Sequence, residues 1–321
     1  MSDYLPTSNI ASLLAEDELL WPSWTITHAN VIAFTTTRIG GVSTGPFASN
    51  NLRYDIGDAA EHVTANRQRL TLTIAALERG ALAEANTDAL PQPCIVQWLD
   101  QVHGIDVAKV PLPESGMDSE LAPTAETTPR ADAMWTKQPG VALAIQTADC
   151  LPVLLCDRAG TVIGAAHAGW RGLVAGVLEA LVAAMPVAAD DLVAWIGPGI
   201  GPQSYEVGAE VWQPIAVHTP QVVLSHPTDS SKRLLDLKRL AELKLRRIGL
   251  PVEAIFSSAH CTFTDARLFS YRQATQAGGP GQTGRMASVI ALPRSFCLTS
   301  ACASLLFYLK FWAAYGTERK D

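Results

Sequence analysis

The chain has 321 residues, of which 48% are apolar and 17% are charged, and its formal net charge is −7. This composition is typical of a globular protein that buries a sizeable core in one large domain or two small ones, and it excludes a disordered chain. The acidic balance argues against a general nucleic-acid-binding protein, which needs a basic face, but it leaves room for a local basic pocket that binds phosphate.

The N-terminal part of the chain predicts an arm followed by a strand, a loop and a helix. Residues 1–23 are acidic and lack the charged-then-apolar pattern of a signal peptide, so we expect a cytoplasmic protein. Residues 31–37 predict a strand, and residues 38–46 a glycine-rich loop. Residues 58–70 predict a helix, with Asp58 as its candidate cap.

Two stretches rich in Ala, Pro, Glu and Thr interrupt this pattern. They cover residues 80–93 and 111–130, and their composition predicts surface insertions. Between them, residues 94–110 predict a strand, a turn at His103-Gly104 and a second strand.

Three short apolar runs follow, at residues 141–145, 153–156 and 161–166. Because turn residues bound each run, we predict three buried strands. The residues after the first run lead to Cys150, and the third run leads directly to His167. Folds built on sheets place chemistry at such points, because strand ends hold side chains rigidly beside an opening.

The rest of the chain mixes helices and strands. Helical spacing of apolar residues predicts helices over residues 171–185 and 232–248. Apolar runs predict strands over residues 192–196, 253–258 and 287–292. Because the elements do not follow a strict βαβ alternation, we predict an α+β fold with mixed β-sheets packed against helices.

The C-terminal segment has a different character. Residues 296–314 are almost wholly apolar, with Lys310 as their one charged residue, at about the length that spans a bilayer. A lysine inside such a run costs about 3 kcal/mol to insert into a membrane. We therefore favour a docking helix or a reading-frame artefact for this segment, and we do not expect a membrane protein.

A thiol and two imidazoles form the first candidate site. His103, Cys150 and His167 each lie beside an apolar strand, and none of the six cysteines has the short paired spacing of a disulfide framework or a zinc ribbon. One thiolate with two imidazoles and long spacings is typical of a catalytic zinc site, which leaves its fourth position to water or substrate. A Cys–His nucleophilic pair fits the same residues, and so does a core cysteine beside two turn histidines.

Four arginines in loops of small residues form a second candidate group. They are Arg38, Arg171, Arg272 and Arg285. Arginine is the side chain best suited to bind phosphate through two parallel hydrogen bonds, although any one of the four could be a solvated surface residue. The chain has neither a Walker-type loop nor a GxGxxG motif at the start of a helix, which argues against nucleoside triphosphates and dinucleotides.

Eight short motifs in order give the sequence a family resemblance, which covers about residues 30 to 292. The motifs are TTR with GGVS (36–43), QVHG (101–104), TADCLP (147–152), HAGWRG (167–172), GPGI (197–200), CT (261–262), FSYR (269–272) and TGRMA (283–287). Together they closely resemble the YfiH family, also called the multicopper polyphenol oxidase (laccase) or peptidoglycan-editing-factor family.

The resemblance implies a layered α+β fold, one catalytic domain over residues 24–292, and metal ligands at His103, Cys150 and His167. It also implies a purine nucleoside enzyme that phosphorolyses adenosine, inosine, guanosine and methylthioadenosine and deaminates adenosine. The name laccase implies copper, but a multicopper centre needs many histidines and this chain has seven. The insertions depart from the family pattern, and the tail at residues 293–321 lies outside it.

We therefore predict a zinc-dependent purine nucleoside phosphorylase with adenosine deaminase activity, with copper as the alternative metal and a monomer or homodimer as the assembly. Its partners would be a purine nucleoside and phosphate. Phosphate would be held by Arg38 or Arg171, helped by the N-terminal end of the helix that starts near Arg171. Asp149 would be a general base or the partner of a ligating histidine.

Two other functions fit the sequence. One is an amide hydrolase that edits peptidoglycan precursors carrying a misincorporated amino acid, with the same metal or with Cys150 as nucleophile. The other is a non-catalytic binding partner of cell-wall or division proteins. An open metal position argues against the second, because a binding protein has no need of one.

Overall fold

The structure is a computed structural model that describes residues 17–24, 31–83, 94–110, 128–276 and 281–293. Most of the predicted arm, most of both predicted insertions and the apolar tail beyond residue 293 lie outside the described residues. None of the helices in the described part of the chain is long and apolar enough to cross a membrane.

The described residues form strands and helices in mixed order. The strands are β1 Leu19–Leu20, β2 Ile32–Thr36, β3 Ile95–Gln97, β4 Val107–Lys109, β5 Ala133–Thr136, β6 Val141–Thr147, β7 Leu151–Asp157, β8 Ile163–Ala168, β9 Leu192–Ile196, β10 Glu206–Val207, β11 Val223–Ser225, β12 Arg233–Leu235, β13 Ile255–Ser257 and β14 Met286–Leu292. The helices are α1 Ala60–Ala83, α2 Trp170–Ala175, α3 Val177–Ala184, α4 Ala209–Ala216, α5 Leu237–Ile248 and α6 Tyr271–Gln276.

The strands form two large sheets and a small one. The first large sheet has the order β1-β2-β14-β6-β3, and the second has the order β13-β9-β7-β8-β5-β4. Strands β10, β12 and β11 form the small sheet. The pairs β3–β6, β4–β5 and β9–β13 are parallel, and the other pairs are antiparallel. The predicted α+β fold with mixed sheets is therefore confirmed.

The two large sheets pack face to face, because alternate residues of a strand point to opposite faces. Leu154 of β7 packs with Leu143 of β6 in the core between the sheets. Its neighbour Leu155 points the other way and packs with Leu181 of α3, in the core between the second sheet and helices α3 and α5. Each such leucine is fully buried, which contributes about 1.5–3 kcal/mol to folding.

Helix α1 covers the outer face of the first sheet. Leu70 and Ile74 of α1 pack against Phe34 of β2 and Ala144 of β6. The fold therefore has four layers: α1, the five-stranded sheet, the six-stranded sheet, and helices α3 and α5. Buried strands with apolar residues on both faces are the expected consequence of this stacking.

The predicted strands agree with the structure, although the sequence patterns did not indicate which strands pair with each other. The strands predicted over residues 31–37, 192–196, 253–258 and 287–292 correspond to β2, β9, β13 and β14, and the three apolar runs correspond to β6, β7 and β8. The strand–turn–strand over residues 94–110 is not a hairpin. Strand β3 pairs with β6 in one large sheet, whereas β4 pairs with β5 in the other.

The helix predicted over residues 171–185 is wrong in one respect, because it is two helices. Gly176 separates α2 from α3 and has a φ of 104°, a left-handed conformation that glycine adopts without steric cost. Val174 is 40% exposed, whereas Leu178 and Leu181 are fully buried. Helix α2 is therefore only six residues long, which is too short to supply the extended helix dipole predicted near Arg171.

Two other helix boundaries differ from the prediction. The helix predicted from residue 232 begins at Leu237, because residues 233–235 form β12 and the Asp236 carboxylate caps the helix by accepting a hydrogen bond from Arg239 N. The helix predicted over residues 58–70 continues to Ala83, so the first predicted insertion begins inside it.

Candidate metal centre

Strand pairing brings the candidate ligands together. Cys150 lies between β6 and β7, directly before Leu151. Because β7 and β8 are antiparallel and Pro152 lies opposite His167, the start of β7 and the end of β8 meet at one edge of the second sheet. His103 reaches the same edge from the turn between β3 and β4, with a left-handed φ of 64°.

The three side chains lie close enough together to bind one metal ion in common. The ligand atoms of His103, Cys150 and His167 all lie within 4.8 Å of one another, and Cys150 Sγ is 3.8 Å from His103 Nε2. A tetrahedral zinc ion holds thiolate and imidazole atoms roughly 3.3–3.6 Å apart, so a contraction of at most about 1.5 Å would bring the three atoms around one ion. His167 is buried, Cys150 is half-buried and His103 is exposed, which leaves one side of the centre open to solvent.

Asp132 holds both histidines, although the sequence analysis did not single it out. Its Oδ1 accepts hydrogen bonds from His167 Nδ1 at 2.8 Å and from His103 N at 2.9 Å, and its Oδ2 accepts from Gly104 N at 2.6 Å and Val102 N at 3.1 Å. Its carbonyl oxygen accepts a further bond from His167 N. This buried carboxylate therefore connects the turn that carries His103 to strand β8.

The charges in the centre favour a thiolate. Burial raises the pKa of the Cys150 thiol, but the charge of His167 and the hydrogen bonds from both imidazoles outweigh this and lower the pKa. Burial likewise raises the pKa of Asp132, and the hydrogen bonds from His167, Gly104 and His103 outweigh it and lower that pKa to about 2. A thiolate beside two imidazoles suits a divalent zinc ion, because a metal binds the deprotonated forms of all three groups.

Close packing around the centre depends on Gly169. A Cβ atom at this position would lie 3.0 Å from both Cys150 Sγ and His103 Cδ2. The residue precedes α2 and has no side chain to cover the ligand atoms. The glycine of the HAGWRG motif therefore leaves room for the side chains of Cys150 and His103, the two candidate ligands that lie outside β8.

The carboxylate of Asp149 connects the segment before Cys150 to the loop that carries Thr262 and to the start of α6. Its Oδ1 accepts a hydrogen bond from Thr262 Oγ1 at 2.7 Å, and its Oδ2 accepts one from Arg272 N at 2.6 Å. The residue has a φ of 92°, so these bonds hold a strained conformation directly before Cys150. The alternative role predicted for Asp149, as the partner of a ligating histidine, is taken by Asp132 at His167.

The predicted phosphate-binding arginines lie in different surroundings. Arg171 is exposed on the first turn of α2 and stacks over Trp170, with its Cζ 4.5 Å from the ring centroid. Arg38 stacks over Phe269 at 4.7 Å, and its Nε donates to Ala48 O at 2.7 Å.

The other two arginines of the sequence analysis are oriented by the backbone. Arg272 Nη1 donates to Glu206 O at 2.8 Å, and Arg285 Nη1 donates to Thr283 O at 2.7 Å. Tyr205, which the sequence analysis did not single out, stacks with Arg272 and interacts electrostatically with Cys150. No short motif marks this tyrosine, so the sequence contained no signal for it.

Comparisons with known proteins identify the family of the chain. A family described as multi-copper polyphenol oxidoreductase laccase matches residues 32–293. A purine nucleoside phosphorylase of Pseudomonas aeruginosa is 42% identical, over 85% of this chain and 98% of its own. The purine nucleoside phosphorylase YfiH of Escherichia coli is 40% identical, over 86% of this chain and 99% of its own.

Solved structures show the same fold. A protein of Neisseria meningitidis superposes with a TM-score of 0.68 at 37% identity, over 86% of this chain and 99% of its own. YlmD of Geobacillus stearothermophilus superposes with a TM-score of 0.68 at 32% identity, over 83% of this chain and 93% of its own. With its eight motifs, its layered sheets and these relatives, the chain belongs to the YfiH family, the family described as multi-copper polyphenol oxidoreductase laccase.

Proposed function

We propose that the protein is a zinc-dependent purine nucleoside phosphorylase that also deaminates adenosine. The observation that supports this most is the convergence of His103, Cys150 and His167 from three separate segments, with their ligand atoms within 4.8 Å and one side open. The relatives named purine nucleoside phosphorylase supply the substrate class. We further propose that residues 24–292 form the catalytic domain, with the arm and the tail outside it.

Zinc is the metal that this ligand set fits. Zinc bound here would act as a Lewis acid and provide a water molecule that ionises near neutral pH. Among the described residues this is the one group of three metal-ligating side chains, whereas a multicopper centre needs several such groups. Copper is the alternative metal, and metal analysis of the purified protein distinguishes it from zinc.

The residues of the chain have separate tasks in this proposal. Asp132 binds His167 Nδ1, which leaves Nε2 to face Cys150. Asp149, whose two carboxylate oxygens already accept hydrogen bonds, positions Cys150 and the residues around Arg272. It also stays a candidate general base, because a carboxylate has about four lone-pair sites and these two hydrogen bonds leave the others free. Arg38 and Arg171 stay candidates for phosphate binding.

The two proposed reactions differ in their nucleophile. In phosphorolysis a phosphate oxygen forms a bond to ribose C1′ while the bond from C1′ to the purine nitrogen breaks. The base leaves with the electron pair and takes up one proton, and ribose 1-phosphate is the second product. In deamination a water oxygen forms a bond to purine C6 and the amino group leaves as ammonia, so phosphate takes no part.

Replacement of Cys150 tests the proposal, and Cys156 provides a matched control. Cys156 lies in β7, is fully buried, and burial raises the pKa of its thiol to about 12, so it resembles a core residue. We expect Cys150→Ala to lose zinc and the release of ribose 1-phosphate from inosine and phosphate, while Cys156→Ala keeps both. Retention of zinc and activity by Cys150→Ala would overturn the proposal.

A second experiment distinguishes the phosphorylase from the amide hydrolase. The amide hydrolase remains a prediction from the sequence, and it requires turnover of a peptidoglycan precursor with a misincorporated amino acid. Purified protein is therefore supplied with that precursor and with nucleosides in parallel. Turnover of the precursor alone would favour the amide hydrolase, and turnover of nucleosides alone would favour the phosphorylase.

A further inference from the structure

Two arginines, one at the start of α6 and one directly before β14, lie beside the candidate metal centre. The Arg285 guanidinium interacts electrostatically with Cys150, Asp149 and Arg53. Tyr205, which stacks with Arg272, interacts with the same Cys150 and Asp149. Arg272 is the second residue of α6, and its N donates to Asp149 Oδ2 at 2.6 Å, directly before Cys150. Arg285 directly precedes Met286, which pairs with Thr147, and its Cζ lies 5.9 Å from the centroid of the Tyr271 ring. The start of α6 and the segment before β14 therefore bring two guanidinium groups to the neighbourhood of one candidate metal ligand.

Each guanidinium group is held by hydrogen bonds from Nη1 to the backbone and by an aromatic ring beside it. Arg272 donates through Nη1 to Glu206 O, and its Cζ lies 5.2 Å from the centroid of the Tyr205 ring. Arg285 donates through Nη1 to the carbonyl oxygens of Thr283 and Gly284 at 2.7 and 3.1 Å. A guanidinium has five N–H donors, so each group keeps donors for a ligand in a defined orientation.

These arginines have no carboxylate partner among the described residues. The arginines that form ion pairs with carboxylates there are Arg69, Arg239, Arg246 and Arg267. Asp149, a carboxylate that interacts electrostatically with Arg285, already accepts hydrogen bonds from Thr262 and from the backbone of Arg272. Arg53 and Arg285 also repel each other, and burial lowers the pKa of Arg285. Half-buried cations without a counter-ion are costly, and a bound anion would offset that cost.

We propose that Arg272 and Arg285, with Arg53 beside them, form the subsite that binds the phosphate co-substrate next to the metal centre. This inference rests on the proposed phosphorylase function, and it places phosphate at a pair of arginines other than Arg38 and Arg171. Arginine binds a phosphate dianion through two parallel hydrogen bonds, which gives both charge compensation and orientation. The proposed subsite therefore gives a role to two arginine side chains that are not candidate metal ligands.

The test uses the zinc-loaded full chain with Arg285→Met, Arg272→Met and Arg285→Lys. Arg158, an exposed residue in the turn between β7 and β8, gives the matched control Arg158→Met. A hydrogen-bonded charge of this kind changes affinity by about 10- to 100-fold. We expect both methionine variants to raise the KM for phosphate by that factor, and Arg285→Lys to raise it less. The control variant should keep the wild-type KM.

Comparison of the two reactions makes this test specific. Because deamination of adenosine uses water, the ratio of phosphorolysis to deamination at fixed phosphate should fall at least tenfold in Arg285→Met. Equal zinc content and an unchanged circular dichroism spectrum would show that the variants are folded. An unchanged KM for phosphate with a raised KM for the nucleoside would assign these arginines to the nucleoside and overturn the proposal.

Direct binding of inorganic phosphate separates the subsite from the proposed function. Titration calorimetry of the zinc-loaded wild type with phosphate needs no turnover. Binding that Arg285→Met weakens at least tenfold and Arg158→Met does not would support the subsite even if inosine were not cleaved. In that case only the phosphorylase function would be wrong. Absence of phosphate binding to the wild type, or equal binding to the wild type and both methionine variants, would overturn the subsite.

Discussion

The carboxylate of Asp132 lies 2.8 Å from Nδ1 of His167, and both groups are buried. The same oxygen also accepts a hydrogen bond from the backbone of His103. One carboxylate thus fixes the ring orientation of one candidate ligand and the backbone position of another. The two histidines are 64 residues apart in the chain, so Asp132 is what relates their positions before a metal binds.

Replacement of Asp132 should therefore weaken metal binding. Asp132→Asn retains the size of the side chain but removes the charge and replaces one acceptor oxygen by a donor. Loss of such a partner typically costs 10- to 100-fold in metal affinity. We expect a decrease of about that size in zinc affinity, measured by competition with a chelator. The visible spectrum of the cobalt-substituted variant should also change, because the ligand geometry relaxes.

Asp157 provides a matched control for this substitution. It is also buried, and its carboxylate accepts hydrogen bonds from Thr161 and from Val162 N at the opposite end of β7. Asp157→Asn should lower stability but leave zinc affinity and the cobalt spectrum as in the wild type. An equal loss of zinc affinity in both variants would contradict the positioning role of Asp132.

A methyl group at Gly169 should obstruct the metal centre. In Gly169→Ala the added Cβ would lie 3.0 Å from Cys150 Sγ and from His103 Cδ2, closer than ordinary contact. Because both neighbours are candidate ligands, relief of the clash must displace them. We expect at least a tenfold loss of nucleoside turnover with a loss of stability of about 1–3 kcal/mol, which is typical of overpacking.

Gly208→Ala is the control for the added methyl group. There the new atom would meet only the carboxylate of Glu210, an exposed side chain that can move away. Turnover and the melting temperature should stay close to the wild-type values. Wild-type turnover by Gly169→Ala would show that the added methyl group does not disturb Cys150 and His103. The proposed dependence of the metal centre on close packing at Gly169 would then be wrong.

The strands and the candidate trio of His103, Cys150 and His167 could be identified from sequence, because local patterns mark both, and the structure brings the trio together. Apolar runs bounded by turn residues identified β6, β7 and β8, and the positions of Cys150 and His167 at strand ends followed from them. Asp132 was missed because its role depends on the parallel pairing of β4 with β5 and the antiparallel pairing of β5 with β8. A single aspartate before a buried strand does not indicate which distant strands will pair with that strand.

The errors in the helices have a similar physical origin. Helical spacing continues across Gly176, and only the left-handed backbone of that residue divides α2 from α3. Residues 233–235 also have helical spacing, but they pair with β10 and β11 in the small sheet. In both places tertiary structure outweighs local propensity, which differs by less than about 1 kcal/mol for most residues.

The hydrogen bond from Thr262 to Asp149 should be important for stability. Thr262 is buried, and its hydroxyl is one of two donors that satisfy the Asp149 carboxylate. Thr262→Val keeps the shape but leaves that oxygen without its donor. We expect a loss of about 1.5–3 kcal/mol in the free energy of unfolding, the range for hydrogen bonds to charged groups, measured by urea denaturation.

Thr228, an exposed residue in the loop between β11 and β12, gives the control Thr228→Val. Its free energy of unfolding should change by less than about 0.5 kcal/mol, as is usual for surface substitutions. The effect on catalysis should follow the same order, because Asp149 directly precedes Cys150. Equal stability of the two variants would mean that the bond to Asp149 contributes little.

The ion pair between Asp265 and Arg267 predicts a specific dependence of stability on pH. The hydrogen bond from Arg267 is the main cause that lowers the pKa of the Asp265 carboxyl from 3.8 to about 2, and His260 adds to it. Because the folded-state pKa is the lower one, the carboxylate stabilises the fold above pH 4. This stabilisation is lost as the pH falls from about 4 to about 2.

Comparison of Asp265→Asn with the wild type should reveal this dependence. A shift of nearly two units corresponds to about 2.5 kcal/mol, but the Asp265 and Arg267 side chains are 16% and 31% exposed, so solvent screening reduces it to about 1–2 kcal/mol. The variant should be less stable by that amount at pH 7, and the difference should vanish near pH 2. Asp190→Asn, at an exposed position, controls for the loss of one carboxylate. A difference that stays constant between pH 7 and pH 2 would show that Asp265 does not stabilise the fold through its charge.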